Sequence, residues 1–121
     1  MKTTYDTGVA GEKLAEDYLT TEKGMRCLER RLHTRCGEID LVMLDGSTTV
    51  FVEVKTRLTG HAGEGMIAVT AAKQKRLSRA AIMYLMKKGW LSRSARFDVL
   101  ELTMDGIVHL QDAFRPGGLI F

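Results

Sequence analysis

The chain is short and mildly basic. It has 121 residues, of which 45% are hydrophobic and 27% charged, with a formal net charge of +3. This length supports one hydrophobic core, so we expect a single domain over residues 1–121 and exclude two ordinary domains. Neither a signal peptide nor an apolar run that could cross a bilayer is evident, so a soluble cytoplasmic protein without a membrane partner is expected.

The first predicted element is a helix. From Val9 to Lys23, small and apolar residues recur at helical spacing, and Gly24 follows as a stop signal. Glu12 lies in the first turns between Gly11 and Ala15, where small side chains would let a second layer approach closely. Taken alone, Glu12 is an acid that favours a helix amino terminus.

Three strands are predicted next. Met25–Leu32 is weakly patterned and rich in arginine, whereas Ile39–Leu44 and Val50–Lys55 alternate with period two. The segment between the last two strands, Asp45–Ser47, indicates a hairpin turn because its glycine tolerates the positive φ of a tight turn. The sequence therefore predicts a charged β-hairpin.

The hairpin decides which charged residues share a face. A loop over residues 46–47 puts Asp40 opposite Glu53, whereas a loop one residue earlier puts the two acids on a diagonal. In both registers Lys55 shares their face. Strict alternation turns Ile39 to the other face.

This face has two interpretations. Carboxylates that oppose each other in a sheet repel and lose hydration on burial, unless a cation lies between them. Oxygen ligands favour Mg²⁺ or Mn²⁺, and such an ion with a lysine beside it is typical of phosphodiester hydrolysis. The alternative is a surface hairpin in which Glu53 and Lys55 form an ordinary pair worth less than about 1 kcal/mol.

A second helix is predicted from Thr70 to Lys88, with Gly89 as its terminator, after a glycine-containing loop over Thr56–Met66. Its first turns carry four cations: Lys73, Lys75, Arg76 and Arg79. The helix dipole already supplies positive charge there, so an anion would relieve the repulsion. Gln74 lies among them, within reach of a phosphate. The alternative is a solvated basic face without a ligand.

Two more strands, Ala95–Thr103 and Ile107–Gln111, are predicted around a second hairpin turn. The apolar tail, Leu119–Phe121, supports a third hypothesis for the function, a structural protein that assembles through its carboxyl-terminal residues. Neither the two cysteines nor the three histidines have the spacing of a zinc site, and we expect reduced thiols.

The charge balance favours a polyanionic partner. The chain carries 18 Lys and Arg against 15 Asp and Glu. Four of the acids are candidates for one site: Glu12, Glu38, Asp40 and Glu53. If they gather there, the remainder of the protein has a surplus of positive charge, which nucleic-acid phosphates reward through counterion release.

Six short motifs follow one another between about Gly8 and Phe114. They are Gly11–Ala15, Gly37–Val42, Val50–Arg57, Ala68–Thr70, Lys73–Gln74 and Arg96–Val99. In this order and spacing they resemble the YraN family of small bacterial proteins, within the restriction-endonuclease-like or PD-(D/E)xK superfamily. The resemblance implies an α/β fold with a mixed β-sheet flanked by helices.

The resemblance also implies a site. Asp40 and Glu53 match the carboxylates that hold Mg²⁺ or Mn²⁺, and Lys55 matches the lysine that positions or activates water. Glu12 matches the glutamate of the Holliday junction resolvase branch, as a direct or water-mediated ligand. Gln74 is similar to a glutamine that some members place beside the site.

The sequence therefore predicts a metal-dependent endonuclease that acts on nucleic acid, with DNA favoured and branched or repair intermediates as candidate substrates. Five cations would hold backbone phosphates: Arg57, Lys73, Lys75, Arg76 and Arg79. Glu38, just before the Ile39–Leu44 strand, would support the metal ligands. A homodimer would suit an enzyme that cleaves both strands of a duplex. The main alternative is a nucleic-acid-binding accessory protein in DNA repair, recombination or uptake that does not cut.

Overall fold

Two helices flank one five-stranded mixed sheet in the part of the chain that the computed structural model describes, residues 4–57 and 69–115, with side chains from residue 10 onward. The elements are α1 (Thr4–Thr21), β1 (Arg26–Thr34), β2 (Gly37–Asp45), β3 (Thr48–Arg57), α2 (Ala71–Lys88), β4 (Ala95–Thr103) and β5 (Gly106–Phe114). The predicted α/β class is confirmed, and the architecture is consistent with a restriction-endonuclease-like fold.

The strands lie in the order β1-β2-β3-β4-β5. Only the central pair of the described sheet, β3 and β4, is parallel. A parallel pair needs a long connection, and this one contains α2. Within the described ranges, neither helix is long and apolar enough to cross a membrane.

The ends of the elements follow local signals. Thr70 caps α2 by accepting a hydrogen bond from the Lys73 amide, and Gly89 ends the helix in the left-handed region at φ 73°. The predicted loop began too early, because β3 continues through Arg57. The remainder of that loop, from residue 58, and the apolar tail at Leu119–Phe121 lie outside the described residues.

The register of the central hairpin is the one with a loop over residues 46–47. Asp45 pairs with Thr48, and the ladder continues to Leu41 and Val52. Asp40 comes next, beyond the last paired residues, and its carboxylate accepts a hydrogen bond from the Val54 amide at 2.8 Å. A side chain thus replaces the backbone ladder at the place where the acids meet.

The helices cover opposite faces of the sheet. The cluster beneath α2 includes Val42, Phe51, Leu77, Tyr84 and Phe97. The cluster beneath α1 includes Leu19, Leu41, Met43, Val52 and Leu100. Alternation along β2 and β3 supplies both clusters, as the period-two pattern predicted.

The prediction for Ile39 was wrong. It belongs to the cluster beneath α2, whereas Leu41 belongs to the cluster beneath α1. The alternation fails beside Arg31, a non-glycine residue at φ 48° that lies between two regular pairs of β1 and β2. This local distortion of the edge strand coincides with the position of Asp40.

A buried polar network ties β5 to β4. Asp98 is 0% exposed, and its carboxylate accepts hydrogen bonds from Arg96 at 3.0 Å and from the Asp112 amide at 2.8 Å. His109 Nε2 lies 2.7 Å from the same carboxylate. Burial alone would raise the pKa of Asp98. The hydrogen bonds from these partners outweigh the effect of burial and hold the pKa below its usual value. The motif Arg96–Val99 therefore has a structural role.

Candidate active site

An open cavity of about 310 Å³ lies where β1, β2 and β3 meet both helices. Seven charged side chains line it: Glu12, Arg31, Glu38, Asp40, Glu53, Lys73 and Arg76. Gly37 and Leu77 complete the lining. The structure thus brings together the four acids that the sequence singled out, with three cations among them.

Glu53 is the most enclosed acid of this site, with 6% of its surface exposed. Two lysines share one of its oxygens: Lys73 Nζ lies 2.6 Å and Lys55 Nζ 3.2 Å from Oε1. Lys55 comes from the same strand as Glu53, two residues on, and Lys73 comes from the first turn of α2. The predicted face of Glu53 and Lys55 therefore receives a third charge from the helix.

The two lysines differ in acidity. Burial and the neighbouring Lys73 lower the pKa of Lys55, in spite of Glu53. Burial also disfavours the charged form of Lys73, but its hydrogen bonds with Glu53 and Lys55 outweigh this and raise its pKa. Lys55 is therefore the member of the pair that loses its proton first.

The ionised form of Asp40 is disfavoured by its surroundings. Burial and then the repulsion from Glu53 raise its pKa to about 7, although the hydrogen bond from the Val54 amide favours the ionised form. A carboxyl group with this pKa is close to half protonated at neutral pH. A cation placed between Asp40 and Glu53 would offset the repulsion between them, which is the second cause of the shift.

Glu12 reaches the cavity from α1 and is held by Arg31. The guanidinium donates two hydrogen bonds to the carboxylate, at 2.9 and 3.1 Å. Burial raises the pKa of Glu12 in spite of Arg31, and the acids Glu38 and Glu53 add to the rise. The sequence did not single out Arg31 as a site residue, because it is one of several arginines in the β1 segment.

Gly11 allows α1 to lie close enough for Glu12 to reach the cavity. A Cβ atom at this position would lie 2.9 Å from Thr56 Oγ1 and 3.2 Å from Leu102 Cδ1. The prediction of a close approach beside Glu12 is thus confirmed by the contact of α1 with β3 and β4.

Several predicted residues lie elsewhere. The Gln74 side chain donates to the carbonyl of Val69, two residues before α2 begins, at 3.1 Å and does not line the cavity. Lys75 and Arg79 are exposed on α2, and Arg57 lies at the end of β3, all outside the lining. Their assignment to nucleic-acid binding stays a prediction.

The donor chemistry of the cavity fits Mg²⁺ or Mn²⁺, since Glu12, Asp40 and Glu53 offer oxygen ligands only. Among the described residues, however, no three acids, histidines or cysteines are close enough together to hold an ion. The cations of the protein pair with Glu12 and Glu53 instead, so an ion would have to replace these contacts.

Comparison with known proteins identifies the family of the chain. A profile described as "Uncharacterised protein family UPF0102" matches residues 11–102. A UPF0102 protein of Geobacter metallireducens is 47% identical over 112 residues, covering 89% of this chain and 91% of the relative. One of Nitrosococcus oceani is 43% identical over 115 residues, covering 91% and 92%. The chain belongs to the UPF0102 family.

This is the YraN family that the motifs resemble, so that prediction is confirmed. The part matched by the UPF0102 profile begins one residue before Glu12 and includes every residue of the cavity. Among solved structures, SfsA of Pyrococcus furiosus in complex with Ca²⁺ has a TM-score of 0.36 and 15% identity, covering 86% of this chain and 61% of SfsA. This likeness is too weak to bear on function.

Proposed function

We propose that the protein is a metal-dependent nuclease that hydrolyses phosphodiester bonds of nucleic acid. One observation carries the proposal: Glu12, Asp40 and Glu53, from three different elements, line one open cavity, and Lys55 lies 3.2 Å from Glu53. A binding surface for phosphates has no need of three acids, because each would repel the ligand.

The carboxylates of Asp40 and Glu53 would hold Mg²⁺ or Mn²⁺, with Glu12 as a direct or water-mediated ligand. When bound, such an ion polarises a phosphate oxygen and lowers the pKa of a water molecule. Its charge would also favour the ionised form of Asp40, whose pKa is raised to about 7 without it.

Lys55 would position and activate the attacking water. Its lowered pKa increases the fraction of neutral amine, and a neutral Nζ accepts a proton from a water molecule. Lys73, once released from Glu53, would bind a phosphate oxygen together with Arg76. Both cations lie on the first turns of α2 and line the same cavity.

The substrate would be recognised by its backbone. None of the described lining residues is aromatic, so the cavity offers no stacking partner for a base. Its cations suit phosphates, which carry no sequence information. DNA, including branched or repair intermediates, is the proposed substrate class.

A second candidate is a nucleic-acid-binding protein that does not cut. It is favoured by the present pairing of the acids, since Arg31 engages Glu12 and Lys73 engages Glu53. Acids neutralised in this way would support a basic surface instead of holding an ion.

A cleavage assay separates the two candidates. Linear, flapped and four-way DNA, and RNA, are incubated with Mn²⁺ and the wild type, Glu53→Gln or Lys55→Met. Glu22→Gln, at an exposed position after α1, serves as the control. We expect cleavage that falls at least about 100-fold in the first two variants, since the first removes a proposed metal ligand and the second removes the group proposed to activate the attacking water. Equal cleavage by all variants would contradict the assignment, and binding without cleavage would favour the second candidate.

A further inference from the structure

A second cavity, of about 330 Å³, lies between β1 and the carboxyl-terminal half of α2. Its lining is mostly basic or neutral: Arg35, Lys87, Lys88 and His33, with Glu29 as the one acid among the residues that line it. Lys88 Nζ lies over the ring of Tyr84, 5.6 Å from its centroid. His33 is 3.7 Å from Glu38.

The charges of this second cavity are available to a ligand. Within the described ranges, neither Arg35 nor Lys87 forms an ion pair. Both are exposed. Unpaired cations around a concave surface favour an anion, and more than one charge favours a polyanion.

The two cavities belong to one seam between α2 and the turn that joins β1 to β2. Residues 37–38 line the first cavity, and residues 33–35 line the second. Cys36, between them, packs against α2 with its sulfur 3.4 Å from Met83 Sδ. Thr34 Oγ1 accepts hydrogen bonds from the amides of residues 36 and 37, which fixes the turn.

The helix aligns the cations of both cavities. Arg76 lines the first and Lys87 the second, and they are eleven residues apart. Eleven residues make about three turns, so both lie on one face, and they span about 16 Å along the axis. Phosphates of one DNA strand follow each other at about 3.4 Å along a duplex, so this span corresponds to about five of them.

We infer that the second cavity binds the backbone of the same nucleic acid that the first cavity binds. Arg35, Lys87 and Lys88 hold phosphates about five nucleotides from the first cavity, so the ligand includes a duplex arm. This inference rests on the proposed function only in taking nucleic acid as the ligand of the first cavity, which both candidates share.

The test measures the binding of a fluorescent 20-base-pair duplex by anisotropy in EDTA, over a range of salt concentrations. The double variant Lys87→Gln/Lys88→Gln is compared with the control Lys23→Gln/Arg93→Gln. The control removes the same charge from residues that line neither cavity. Lys23 and Arg93 also lie over aromatic rings, as Lys88 does, so lost ring contacts are partly matched.

The first double variant should bind about ten-fold more weakly than the control and reduce the slope of log K against log salt by about two, since each phosphate contact contributes about 0.9. Equal affinity and slope in both double variants would overturn the inference, as would a polyglutamate peptide that competes as well as DNA of equal charge. Cleavage by the wild type is scored separately. If the wild type does not cleave nucleic acid but the first double variant shows the predicted loss of binding, the inference stands and the proposed nuclease activity is wrong.

Discussion

Lys55 and Lys73 meet at a single atom, Oε1 of Glu53, at 3.2 and 2.6 Å. Two ammonium groups on one oxygen repel each other, and their pKa values move in opposite directions. The lysine on the strand becomes the more acidic of the two, whereas the lysine on the helix keeps its charge. Under the proposed function, this difference would leave Lys55 as the proton acceptor and Lys73 as the phosphate-binding cation.

Removal of Lys73 should raise the pKa of Lys55. In Lys73→Gln the repulsion from the second ammonium is lost, while the contact of Lys55 with Glu53 remains. NMR titration of the Lys55 side chain, in the wild type and in the variant, measures the change. Lys75→Gln is the matched control, because Lys75 lies on the same helix but outside the cavity. A Lys55 pKa that is unchanged or lower in Lys73→Gln would contradict the account.

Glu12→Gln should separate binding from cleavage. The variant removes a charge that repels phosphates and weakens the hold on Arg31, so the affinity for DNA in EDTA should rise a few-fold. Cleavage should fall because a candidate metal ligand is lost. Asp17→Asn removes the same charge from an exposed position on α1 and is the control. Weaker DNA binding by Glu12→Gln than by Asp17→Asn would argue against a phosphate ligand.

Gly11→Ala should destabilise the protein and displace α1. The new Cβ would lie 2.9 Å from Thr56 Oγ1, a distance at which something must move. Overpacking of this kind costs about 1–3 kcal/mol, against a gain in helix propensity of about 0.5–1 kcal/mol. Urea unfolding should show a net loss, and a second substitution, Thr56→Ala, should restore part of it. A Gly11→Ala protein as stable and active as the wild type would contradict the role of Gly11.

Asp98→Asn should cost about 3–5 kcal/mol, because it removes the buried negative charge that Arg96 and His109 share. The cost should depend on pH. The pKa of Asp98 is lower in the folded state, so its carboxylate stabilises the fold above its unfolded pKa, near 4, and this contribution is lost as the pH falls through the lower folded pKa.

Urea unfolding at pH 7 and pH 3 measures this difference. The gap in stability between wild type and Asp98→Asn should be smaller at pH 3. Asp105→Asn, in the exposed turn between β4 and β5, is the control and should change little at either pH. A gap of the same size at both values would show that the charge of Asp98 is not what stabilises the network.

Local signals in the sequence predicted much of this fold. The turn glycine at position 46, the cap at Thr70 and the stop at Gly89 act within a few residues, and the structure has each of them in place. The two-residue turn also decided the register of the hairpin, and so the approach of Asp40 to Glu53.

What the sequence did not reveal depends on contacts between distant segments. Arg31 contacts Glu12 from an edge strand that leaves regular geometry at this residue, at φ 48°, and no period-two pattern contains that irregularity. Ile39, which pairs with Leu32 beside this irregularity, belongs to the other core cluster. Gln74 lies one residue from Lys73, yet its side chain turns back and donates to the Val69 carbonyl, and its position in the sequence does not reveal this contact.

The most direct test of the proposed site is the binding of Mn²⁺, followed by electron paramagnetic resonance of the free ion. The wild type should bind Mn²⁺ at one site per chain, and so should the control Glu22→Gln. Asp40→Asn and Glu53→Gln should each weaken this binding more than ten-fold. A wild type that binds no Mn²⁺, or four proteins that bind it equally, would contradict the claim that these acids form a metal site.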